Sequence, residues 1–139
     1  MKQLIAVAAI LILFMFTALA DDLAKLEGKW SLKKTNAEGQ SITQSIEITT
    51  NTFKFKIIRG DQTTIYAEGQ VKLEKSGPFN VVKFTDIKAG SSESDLDEIN
   101  DDHVSIYVLG DDSWTLAANF DKDRGDQKPS LDRYLKAAN

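Results

Sequence analysis

The chain has 139 residues, with 17 basic and 21 acidic side chains, one His, two Trp, two Pro and no Cys. That length holds one domain at most, and the missing thiols exclude a disulfide framework, a thiolate nucleophile, a zinc finger or an iron–sulfur cluster. A single His leaves no room for a multi-His metal site, so neither metal nor cofactor is expected.

The N-terminus reads as an address. Met1-Lys2-Gln3 is a positive start, Leu4 to Phe16 is an unbroken run of 13 apolar residues, and Thr17-Ala18-Leu19-Ala20 ends in a small-x-small pattern before Asp21-Asp22. The run falls short of the roughly 20 residues needed to cross a bilayer. With the small residues behind it, it predicts a secretory signal peptide over residues 1–20, cut after Ala20. Residues 21–139 are then expected to be a single domain, secreted or periplasmic, with no stable membrane insertion after cleavage.

Losing Lys2 leaves 16 basic and 21 acidic groups, a net charge of −5. The imbalance is local: residues 86–126 hold three basic and twelve acidic groups. A nucleic-acid binder would show a basic stripe with interleaved aromatics, so nucleic acid is excluded as an expected partner. A Cys-free exported domain without an Asn-x-Ser/Thr site leans towards a bacterial source.

Asp21 to Leu26 is the one helix candidate, with acids at its positive end. Strands follow by alternation or by composition at Gly28 to Lys34, Ile46 to Thr49, Thr52 to Ile57, Thr64 to Glu74, Val81 to Ile87, His103 to Leu109, Ser113 to Asn119 and Leu131 to Lys136. Turn signals separate them at Asn51, Gly60-Asp61, Gly77-Pro78, Gly110-Asp111-Asp112 and Lys128-Pro129. Gly69 in mid-strand suggests a bend or bulge. The acidic stretch Lys88 to Asp102 reads as one mobile loop. About eight short strands predict an all-β fold, an antiparallel barrel or sandwich.

Leu26-Glu27-Gly28-Lys29-Trp30, a helical turn running into Gly-x-Trp on the first strand, resembles the start of lipocalins and related barrels. Together with Glu68-Gly69-Gln70-Val71 and Tyr107-Val108-Leu109-Gly110-Asp111-Asp112-Ser113-Trp114-Thr115-Leu116, the chain is similar to a family of small exported lipocalin-like domains of planctomycete-type bacteria with no assigned function. The resemblance implies an eight-stranded lipocalin-like β-barrel after the signal peptide, with Gly28 and Trp30 at its closed end. It also implies an Arg beyond the last strand that stacks on the Trp; Arg133 is the candidate, although it falls inside the predicted last strand. Thr85-Asp86-Ile87 is only a fragment of a further lipocalin motif.

An eight-stranded barrel is just wide enough to be filled by side chains or to hold one small ligand. Alternation aims Phe53, Phe55, Ile57, Ile65, Val71, Phe84, Ile106 and Trp114 inward, with Ile46, Ile48, Leu73, Val82, Val104, Val108 and Leu116 beside them. Two readings stay open. The first is a non-enzymatic binding protein with a small hydrophobic molecule in this cup. The second is a cell-envelope protein-interaction module with a filled barrel and function on its loops, Lys88 to Asp102 above all.

Catalysis is not expected. His103 beside Asp102 makes no triad, and neither Ser105 nor Ser113 sits in a Gly-x-Ser-x-Gly elbow. The acids from Glu93 to Asp102 match no calcium-loop spacing. Arg59-Gly60-Asp61 and Arg124-Gly125-Asp126 could present adhesion triplets, but Gly-Asp is also ordinary turn chemistry. Tyr66, Tyr107 and His103 are candidates for a polar rim. No single strand is long, apolar and exposed, so a monomer is expected.

Overall fold

The computed structural model describes residues 19–138. The signal-peptide reading falls mostly on residues 1–18, outside that range. Residues 19–26 are helical, so the predicted turn starts two residues earlier and spans the expected cleavage point. Nine strands follow: β1 Gly28–Thr35, β2 Ser41–Thr49, β3 Thr52–Arg59, β4 Gln62–Ser76, β5 Phe79–Ser92, β6 Asp95–Glu98, β7 His103–Leu109, β8 Ser113–Ala118 and β9 Ser130–Lys136. All pair antiparallel, in the order β1–β2–β3–β4–β5–β7–β8–β9, and β9 returns to β1. This is a closed eight-stranded antiparallel β-barrel preceded by one short helix, with β6 as an addition along β5. Closure leaves the eight barrel strands without an unpaired edge over the paired stretches, which is how such barrels avoid templating other chains.

Gly69 bends β4 as its position suggests. Across from it β5 carries one extra residue, because Glu68 pairs with Lys88 whereas Gln70 pairs with Thr85. A Cβ on Gly69 would lie 2.5 Å from the Thr85 carbonyl oxygen, so only glycine lets the strands approach there. Asp86, in the extra position, adopts φ 50°. The bulge shifts the alternation, so that Val82 and Phe84 point inward on one side of it and Ile87 and Ala89 on the other.

One end of the barrel is plugged by the helix. Leu26 is fully buried, Leu23 packs on the core, and the Trp30 indole Nε1–H donates to the Leu26 carbonyl at 2.8 Å. The Tyr107 hydroxyl donates to the Asp22 carboxylate at 2.8 Å and ties the helix to β7. Burial first, and that carboxylate second, push the Tyr107 phenol up well above its ordinary value.

Three sequence expectations are corrected. Lys88 to Asp102 is not one loop: β5 runs on to Ser92, and Asp95–Glu98 pairs back on it as β6. On β7 the inward residues are Ser105 and Tyr107, at 4% and 2% exposure, so Val104, Ile106 and Val108 face outward. The pairing of Val82 with Ser105 fixes this parity, and in a strand apolar on both faces a one-residue difference reverses every side chain. On β9 Asp132 and Tyr134 are buried inside while Arg133 is exposed outside.

Candidate functional site

The interior is built from aromatic side chains in contact. Trp30 and Trp114 meet edge-to-face with centroids 5.9 Å apart, Phe53 meets Phe84 at 5.0 Å, and Phe84 and Tyr134 flank Trp114 at 6.4 and 6.2 Å. These separations are those of packed aromatic pairs and leave no room for a guest between the rings. Of the residues expected to line a cup, Phe53, Val71 and Trp114 are buried, and Phe55 and Phe84 pack against that core. Ile57 is half-buried towards the end opposite the helix, paired with Ile65, which is 45% exposed at the rim. Ile106 lies outside the barrel altogether.

Sequence reading missed a polar layer towards the end opposite the helix. The Lys34 ammonium lies 2.7 Å from the Asp132 carboxylate, and the Tyr134 hydroxyl donates to Gln44 Oε1 at 2.9 Å. Burial, and then the Asp132 charge, raise the Tyr134 phenol well above its ordinary value. The available signal was the alternation in Ser130-Leu-Asp-Arg-Tyr-Leu-Lys136, which admits either parity.

At the helix end, Gly28 opens β1 with φ 121°, and a Cβ there would meet the Lys136 side chain at 3.6 Å. The cation above Trp30 is Lys136, 5.5 Å from the ring centroid, and not Arg133, which projects from the opposite face of β9. A groove of about 340 Å³ beside the helix is lined by Leu19, Leu23, Val71, Leu73, Gln70 and Thr85, among others. It is an open depression on the surface, formed in part by residues that the expected cleavage would remove.

At the opposite end two loops are knotted by charge. Arg124, from the long β8–β9 connection, donates to Asp101 at 2.9 and 3.2 Å, to Asp121 at 2.6 and 3.1 Å and to the Asp102 carbonyl at 3.0 Å. Lys122 also pairs with Asp101. The Arg124 guanidinium and then Lys122 hold the Asp101 carboxyl far below the usual carboxylate range, and Arg124 lowers Asp121 as well. His103 Nε2 lies 3.5 Å from Asp101, and burial first, then the Arg124 charge, lower its pKa. His103 is therefore a member of this knot.

The knot answers the question of the triplets. Arg124 has only 7% of its side chain exposed and spends its donors inside the protein, while Arg59 donates to Gln40 Oε1 at 3.1 Å. Arg124 is thereby withdrawn from its triplet, whereas Arg59 stays exposed beside its turn.

Beside the knot, the β5–β6 ribbon exposes Asp95, Asp97 and Glu98. Its inner face closes on Tyr66, an outward residue of β4 whose hydroxyl donates to Glu93 and whose ring lies under the Lys56 ammonium at 5.1 Å. Gly90 is required there, because a Cβ would collide with the Asp95 carbonyl oxygen. Among the described residues no cluster of His, Asp and Glu is placed to hold a metal ion, and no helix is long and apolar enough to cross a membrane. Set beside known proteins, the chain matches no protein-family model, no curated protein and no solved structure.

Proposed function

We propose that this is an exported, non-enzymatic protein-interaction module: a filled lipocalin-like barrel that serves as a rigid scaffold and binds a macromolecular partner through the loops at the end opposite the helix. The observation that carries the reading is the aromatic stack Trp30–Trp114–Phe84–Phe53, which occupies the space a cup ligand would need. Loops fixed on such a scaffold are where binding usually lives. Here the knot around Arg124 fixes residues 99–102 against residues 119–127, and the ribbon beside it exposes Asp95 and Asp97. Charge complementarity favours a basic protein surface as the partner.

Two measurements test this. Native mass spectrometry of the protein released from its own export compartment is expected to give the bare mass of residues 21–139. A bound mass lost on denaturation would return the reading to a small-molecule carrier. A photo-crosslinking residue at Asp97 is expected to give one discrete protein adduct in cells, weakened by Asp95→Asn, whereas the same probe at Lys33 gives none. Equal labelling at both positions would remove the loops as the binding end.

A further inference from the structure

The outer face of β5, β7, β8 and β9 carries an apolar row. Val81, Ile106, Ala117 and Leu131 are consecutive register partners across the four strands. Beside it runs a groove of about 320 Å³ lined by Phe79, Val81, Val104, Ile106 and Phe120, with Glu74 and Lys83 along one bank. Val81 is 7% exposed at the floor of that groove and Ile106 and Ala117 are half-buried, but the apolar side chains around them stand out: 53% exposed for Phe79, 68% for Val108, 46% for Phe120 and 76% for Leu131. A contiguous apolar patch of this kind marks a contact surface.

We infer that this face docks a second copy of the chain, in an isologous dimer separate from the loop site proposed above. The row is its own complement. A two-fold axis running along the strands between β7 and β8 sets Ile106 against the small Ala117 of the other copy. It also sets the protruding Leu131 into the groove whose floor is Val81. Arg133 lies on β9 in the neighbouring row, beside Thr115 and Val108. The same axis sets its guanidinium over the exposed Phe79 ring of the other copy, a cation-on-aromatic contact. The four most exposed side chains offer on the order of 400 Å² of apolar surface, against about 800 Å² that each partner gives to a standard interface. That proportion suits an apolar centre with a polar rim.

The experiment is sedimentation equilibrium of the exported protein from low to high micromolar concentration. A reversible monomer–dimer equilibrium is expected. Leu131→Lys, at a position too exposed to matter for folding, should weaken it by at least about tenfold, and Thr43→Lys on the opposite wall should leave it unchanged. Arg133→Glu, which sets a carboxylate over the Phe79 ring, should weaken it as well. A protein that stays monomeric throughout, whatever else co-purifies with it, overturns the inference, as does a dimer indifferent to Leu131→Lys.

Discussion

The two halves of the barrel wall solve the same problem with opposite surfaces. Around β1 to β6 the outward residues Lys29, Glu47, Lys54, Glu68, Lys88 and Glu98 are successive register partners, an alternating ladder of charge in which every member has opposite charge beside it. Cross-strand pairs of this kind each contribute a few tenths of a kcal/mol to about 1 kcal/mol. Around β5, β7, β8 and β9 the corresponding row is Val81, Ile106, Ala117 and Leu131. One wall alternates charge across its strands, and the other presents an apolar row there. The polarity of a barrel face is thus set by its cross-strand neighbours, not by the composition of any one strand.

The comparison can be broken most forcibly where the walls share an interior. Trp30 belongs to the charged wall and Trp114 to the apolar one, so Trp114→Ala should cost about 3–5 kcal/mol in denaturant unfolding. A loss below about 1 kcal/mol would mean that the interior is loosely filled and has room for a guest. At the seam between β4 and β5, Gly69→Ala forces a Cβ against backbone oxygen. It should destabilise by about 1–3 kcal/mol; an unchanged midpoint would show that the bulge can slide.

Electrostatics sharpen the contrast further. Arg124→Ala should cost about 1–2 kcal/mol at neutral pH, since the knot is only partly buried. Asp101 and Asp121 have folded pKa values below their unfolded ones, so the stability they bring is present above the ordinary carboxylate range and is lost as pH falls through the folded values. The gap between wild type and Arg124→Ala should therefore hold at pH 5 and close on acidification below about pH 4. A gap that does not shrink at all between pH 5 and pH 2 would assign the effect to packing. Smallest of all, Glu47→Lys places three cations in a row across β1, β2 and β3 and should cost about 1 kcal/mol at low salt. Molar salt should erase most of that cost, and insensitivity to salt would deny the ladder its electrostatic role.

What was legible in the sequence follows the same division. Thr52-Phe-Lys-Phe-Lys-Ile57 alternates cleanly because its outer face is charged, and Phe53, Phe55 and Ile57 take the inward parity expected of them. His103-Val-Ser-Ile-Tyr-Val-Leu109 is apolar on both faces, so the aliphatic residues looked like the interior and the structure put Ser105 and Tyr107 there. On β9 too the leucines, Leu131 and Leu135, lie outside, with Asp132 and Tyr134 within. The inversion falls on the wall whose outside is more apolar than part of its inside, and no single strand shows that. The existence of the barrel was readable from strand count and turns; β6 was not, because Leu96 is the only apolar residue among its four. Nor was the knot, since Arg124 and Asp101 are joined only by folding.

One seam of the wall is much thinner than the rest. β1 meets β2 through eight register pairs but meets β9 through only two, Trp30 with Lys136 and Ser31 with Leu135. A single further hydrogen bond, from the Ala137 N–H to the Lys29 carbonyl, extends it. These contacts join the two ends of the folded domain, so they span almost the whole chain in sequence and carry its largest loop-closure cost. A barrel assembled from hairpins in chain order closes here last, and only after residues 136 and 137 are free of whatever is making or exporting the chain. The same economy makes it the first place to part, and amide exchange should find the Ala137 N–H protected far less than those between β1 and β2.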